Sequence, residues 1–113
     1  VMGVSTNFLT MYGIKIAWDD NFSNAYDEVY DDPKTPNILL DGMMGEYMIF
    51  GIQLFDSGDA RHYFEDGDEF KEIDLAQISV DEVAYKESFE KTFPQFSHYM
   101  KEPFKLMAFA HYS

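Results

Sequence analysis

The succession of hydrophobic periodicities predicts an α+β domain: a mainly antiparallel sheet of about five strands carrying two helices. Three observations lead there. Residues 7–18, 46–56 and 104–112 alternate with period two and are apolar on both sides, the pattern of strands covered on both faces. Residues 19–32 and 80–93 instead space their apolar side chains at helical intervals, which gives each a single buried face. The resulting order, β-α-β-β-(β-β)-α-β, groups strands into runs rather than alternating them singly with helices, as α+β domains do. A ferredoxin-like arrangement with an acidic hairpin inserted before the second helix is the simplest version.

Each element has its own warrant. In 7–18, Phe8, Thr10, Tyr12, Ile14, Ile16 and Trp18 point one way and Leu9, Met11, Gly13, Lys15 and Ala17 the other. Gly13 in such a run marks a bulge or a close backbone approach. In 19–32, Phe22, Ala25, Tyr26 and Val29 form the buried face, Asp19 or Asp20 caps the start, and Pro33 ends the helix. Asp27/Asp31 and Glu28/Asp32 are then like-charge i,i+4 pairs at the negative end of the helix dipole, a local cost of ~0.3 kcal/mol each. Residues 34–37 read as a loop, 38–41 as a short strand and 41–45 as a hairpin connection. Asp56-Ser57-Gly58-Asp59 reads as a turn. Residues 61–64 and 69–73 read as a hairpin about Asp66-Gly67, the pair favoured by a type I′ turn. Ser79 followed by Glu82 is a capping-box signal, with Ile78 and Val83 as its hydrophobic staple, so a helix is expected from Val80 to Phe93, closed by Pro94. Tyr85, Phe89 and Phe93 line its buried face, and Glu82/Lys86 and Glu87/Lys91 are favourable surface pairs. Residues 95–101 read as irregular or a short helical turn.

With 113 residues, the chain is expected to be a single domain spanning 1–113. It has no cysteine, so disulfides and thiolate metal sites are excluded. No apolar run is long enough to cross a bilayer as a helix, and no basic stretch precedes an apolar one as in a secretory signal. Met2 reads as the native start, with Val1 an addition, and a cytoplasmic location is expected.

Charge is the dominant feature. The net charge is −13, with 21 acids against seven lysines and one arginine. Direct binding to nucleic acid or to anionic lipid is therefore disfavoured, because both need cations on the protein. The acidity is also concentrated. Residues 19–32 hold six acids and no base, and residues 56–74 hold eight acids and two bases, so each segment carries −6. The second helix, by contrast, has a largely neutralised surface.

Other chemistries have weak signals. Asp56, Asp59, Asp66, Asp68 and Glu69 are hard oxygen donors suited to Ca²⁺ or Mg²⁺, but their spacing does not match an EF-hand loop. His62, His98 and His111 are isolated, without a His-x-x-x-His pair or a Gly-x-Ser-x-Gly elbow, and read as structural or exposed. No catalytic residue, metal or cofactor is expected. Dense carboxylates on a helix and a hairpin can instead imitate a row of phosphates and occupy the nucleic-acid channel of a basic protein. The expected contact set is Asp20, Asp27, Glu28, Asp31, Asp59, Glu65, Asp66, Asp68 and Glu69. Two alternatives accompany this reading: an interaction or oligomerisation module using an apolar sheet face, and a small Ca²⁺- or Mg²⁺-binding domain. Two helices of three to four turns cannot cover both faces of a five-stranded sheet, so a homodimer or a partner is expected to close the second face.

The segments MYGIKIAWDD, DGMMGEYMIFG, DEFKEIDL and EPFKLMAFAHYS resemble small proteins of tailed phages. That resemblance implies a class rather than a chemistry: short acidic phage proteins that inhibit or adapt host or defence enzymes, some of them DNA mimics, acting in the host cytoplasm. It transfers no residue roles.

Overall fold

The computed structural model describes residues 6–59 and 70–112. Strand β1 is Thr6–Ala17, helix α1 Asp20–Asp27, β2 Ile38–Leu40, β3 Tyr47–Asp59, helix α2 Leu75–Thr92 and β4 Lys105–Tyr112, with a 3₁₀ helix at Pro94–Lys101. The described residues thus form an α+β fold with one four-stranded sheet, ordered β2-β3-β1-β4, in which all neighbours are antiparallel. The expectation of about five strands and two helices is close but not exact. Of the second arm of the expected hairpin, 69–73, the described residues Phe70–Ile73 are not a strand, and residues 60–69, including the first arm and the Asp66-Gly67 turn, lie outside the described residues.

Phe22 of α1, Tyr85 and Phe89 of α2, and Met100 of the 3₁₀ helix pack with Phe93 on Ile14, Met48 and Phe50 of the sheet. All three helices therefore cover the same sheet face. Phe22 is the hub: its ring centroid lies 4.7 Å from those of Phe50 and Phe93, 5.2 Å from Phe96 and 5.8 Å from Phe89. Such aromatic pairs add roughly 0.5–1.5 kcal/mol each beyond the area they bury.

The opposite face was expected to need a partner to cover it. On that face Leu9, Met11 and Ile49 lie outside the helix-covered core and are buried. The strands are also curved. The β3 partners of Asn7 and Leu9 are Asp59 and Asp56, and those of Thr10 and Met11 are Phe55 and Gln53, so β3 carries an extra residue twice. Gly58, with φ +73°, provides the left-handed residue of the first bulge, and Ser57 Oγ accepts from the Phe8 amide at 2.9 Å. The predicted turn at 56–59 is therefore a bulge within a longer strand. Gly and Asp signal both features, and only the pairing partner distinguishes them. Gly13 and Gly51 face each other across the central ladder, where the two backbones approach closely. The ribbon bends far enough that Tyr47, opposite Ala17, hydrogen-bonds His111, opposite Asn7.

Both helices depart from their expected bounds. Helix α1 ends at Asp27 rather than at 32, and the chain continues in i,i+3 turns: Val29 N to Tyr26 O and Asp32 N to Val29 O, both 3.0 Å. The last turn holds no base, so Asp27, Glu28, Asp31 and Asp32 would have crowded the negative helix end. Unwinding removes the like-charge i,i+4 geometry. Helix α2 starts at Leu75 rather than Val80. Its cap is Asp74, whose carboxylate accepts from Ala76 N at 3.0 Å, and Ser79 sits inside the helix. The staple fails too, since Ile78 is buried and Val83 exposed.

The α1 cap is tied into the core. Asp19 accepts from the amides of Asn21 at 3.0 Å and Phe22 at 3.3 Å, and from the Tyr99 hydroxyl at 2.6 Å. The Tyr99 bond, helped by the two amides and by nearby His98, holds Asp19 below the usual carboxylate range against the effect of burial. Its charged form is thus favoured in the fold, and the stability it contributes is lost as the pH falls through the folded value. Asp19→Ala should cost about 2 kcal/mol in urea unfolding at neutral pH, and Asp19→Asn about half that because Asn still caps. The Asp19→Ala deficit should narrow below about pH 4, where the wild-type carboxylate takes up its proton.

Candidate acidic interface

Local chemistry places the acids of α1 outward. Phe22 is fully buried and Ala25, Tyr26 and Val29 pack against the core, so the intervening Asp20, Asp27, Glu28 and Asp31 are left exposed, as is Asp32. Asp20 accepts from Trp18 Nε1 at 2.9 Å, and Asp32 accepts from the Lys34 amide at 2.9 Å. Among the described residues the one ion pair is Lys86–Glu82 on α2, at 3.2 Å. These four expected contacts, Asp20 and Asp27 on α1 and Glu28 and Asp31 after its end, therefore present their charge to solvent without a cation bonded to any of them among the described residues. Tyr30 stands exposed between them, its ring 6.3 Å from that of Tyr26. Lys34 and Lys91 share a shallow groove beside α2 and bound this acidic surface on that side.

Of the remaining expected contacts only Asp59 is described, and it lies on a different element. Asp59 is half-buried at the end of β3, opposite Asn7, at the far end of the ladder from Ala17 and α1. Glu65, Asp66, Asp68 and Glu69 lie outside the described residues.

A second cluster sits on the concave sheet face. Asp41, buried in the β2–β3 turn, accepts from Met44 N at 3.1 Å and Glu46 N at 3.0 Å, and these amides hold it below the usual carboxylate range despite burial. Tyr47 Oη and His111 Nδ1 are 3.0 Å apart. Burial lowers the His111 pKa, although Asp41 and Asp56 act in the opposite sense. Asp56 accepts from Asn7 Nδ2 at 2.9 Å and Gly58 N at 2.8 Å. The sequence marks His111 as structural or exposed, and it is buried and paired. The cluster fastens the β4 end to the β2–β3 turn. Among the described residues no group of three or more His, Asp or Glu side chains is arranged to hold a metal ion.

Exposed apolar side chains on α2 were missed from the sequence. Leu75, Val80 and Val83 are 75%, 61% and 59% exposed. The signal lies in the spacing of Ala76, Val80, Val83 and Ala84, but the capping-box reading assigns Val83 to a buried staple.

No family model, curated protein or solved structure matches this chain. The resemblance to tailed-phage proteins rests on its sequence segments alone.

Proposed function

We propose that this chain is a non-enzymatic acidic inhibitor or adaptor that occupies the basic, nucleic-acid-binding surface of a partner protein. One observation carries the reading: Asp20 and Asp27 of α1, and Glu28 and Asp31 of the turns that follow it, stand exposed on a segment anchored by Phe22, without bonded cations among the described residues. A fixed array of carboxylates loses less entropy on binding than acids on a flexible tail, which is what a phosphate mimic requires. The β-α-β-β-α-β order and the β4-β1-β3-β2 sheet favour a ferredoxin-like frame for that array. A host or defence protein in the cytoplasm is the partner implied by the phage-type segments.

The test is the variant Asp20→Asn/Asp27→Asn/Glu28→Gln/Asp31→Asn, assayed against basic nucleic-acid-binding proteins in competition with duplex DNA. Four exposed charge pairs at ~0.7 kcal/mol each predict an affinity loss of about a hundredfold. Duplex DNA should displace the wild-type chain, and binding should weaken steeply with salt. Unchanged affinity of the folded variant, or no competition by DNA, removes the proposal.

A second reading has its own support. Phe8, Leu106 and Tyr112 are exposed on β1 and on the edge strand β4, as an interaction module working through an apolar sheet face would need. Its binding would change little with ionic strength.

A further inference from the structure

Helix α2 is apolar on two opposite sides. Tyr85 and Phe89 face the core, and Ile78 is buried on the same side of the helix. One hundred degrees per residue puts Ala76, Val80 and Val83 on the other side, pointing away from the sheet. Val80 and Val83 are exposed and line a shallow groove with Ser79, Ala84 and Glu87. Among the described residues none is recorded as packing on this stripe, and a solvent-facing helix side ordinarily carries polar residues.

The charge of the chain selects the occupant of the stripe. Residues 70–92 hold six acids and three lysines, and one of those lysines, Lys86, is bound to Glu82. Glu87 lines the groove and Glu90 follows on the same side, while Lys34 and Lys91 stand in the adjoining groove that shares Ala84 and Glu87, so the basic partner is selected by the net charge of −13 rather than by a purely acidic rim. A second copy of a chain with net charge −13 would bring like charges together around the contact. A helix with an apolar face flanked by Lys and Arg satisfies both the stripe and that net charge, in the helix-on-groove mode of recognition.

We propose that the outward face of α2, centred on Val80 and Val83, docks a basic amphipathic helix of a partner protein. This contact is separate from the α1 acids and does not depend on their role. It adds an apolar, salt-resistant component to recognition of a basic partner.

The probe is a synthetic helical peptide with leucines at i, i+3, i+4 and i+7 and lysines elsewhere, compared with a scrambled peptide of the same composition. Binding is followed by fluorescence anisotropy and by amide shifts of the full chain. The amphipathic peptide should shift amides of α2 and bind about tenfold tighter than the scrambled one. Val80→Asp/Val83→Asp, two exposed positions that leave the core intact, should remove that advantage, while Asp27→Asn/Asp31→Asn should keep it. Equal binding of both peptides, shifts confined to α1, or no binding at millimolar peptide overturns the proposal. So does a wild-type dimer in sedimentation that Val80→Asp/Val83→Asp dissolves, since a second copy would then be the occupant.

Discussion

Gly13→Ala should destabilise the domain by about 3 kcal/mol or more, enough to leave much of the protein unfolded at 37 °C. A Cβ on Gly13 would lie 2.1 Å from the Phe50 carbonyl oxygen and 2.7 Å from the Gly51 Cα. Both obstacles are backbone, in the longest ladder of the sheet, so no rotamer change relieves them. The β1 and β3 chains would have to separate at the Gly13–Gly51 pair. Buried Met11 and Ile14 flank this pair on opposite faces of β1, so the clash would loosen both faces at once. Gly51→Ala meets the Tyr12 carbonyl oxygen at 2.4 Å and should behave alike. Gly42→Ala is the control: nothing lies within 4 Å of its Cβ, and it should stay within about 0.5 kcal/mol of wild type. Urea midpoints of the three variants check this. Equal midpoints for Gly13→Ala and Gly42→Ala would mean that the strands are not in this close register.

The Gly13 contact also shows where sequence reasoning stops. A glycine in an apolar period-two run announced a close approach, but its partner, Gly51, came only from the ladder register. The strands β1, β3 and β4 were legible because both their faces are apolar, whichever residues they pair with. The 56–59 segment was not, because Asp-Ser-Gly-Asp serves equally as a turn or as a bulge. The two helix boundaries failed through competition between local signals. Asp74 and Ser79 both cap well, and the earlier cap wins because Leu75-Ala76-Gln77-Ile78 extends the helix and buries Ile78. At α1, helical spacing favoured continuation to 32 while the dipole opposed it, and charge decided. The exposure of the α1 acids was legible from the same spacing. Whether Asp59 stands near them was not, since that depends on a register set ten residues away along β1.

Phe22→Ala should cost about 3–5 kcal/mol, the range for truncating a buried aromatic. Phe22 is fully buried and in ring contact with Phe50, Phe89, Phe93, Phe96 and Tyr26, so the cavity opens where α1, α2, the 3₁₀ helix and the sheet all meet. Helix α1 has eight residues and only Phe22 fully buried, so its attachment depends on this one ring. Hydrogen exchange should show α1 amides losing protection before those of β1 and β3. The variant also separates two meanings of acidity, because it keeps the net charge of −13 and every carboxylate. If Asp20, Asp27, Glu28 and Asp31 act as a fixed array, Phe22→Ala should weaken partner binding at temperatures where the sheet is still folded, since ordering α1 then costs free energy on association. If net charge alone attracts the partner, affinity should match wild type. Salt dependence distinguishes the two further: a detached α1 still attracts at long range, so the association rate should hold while dissociation speeds up.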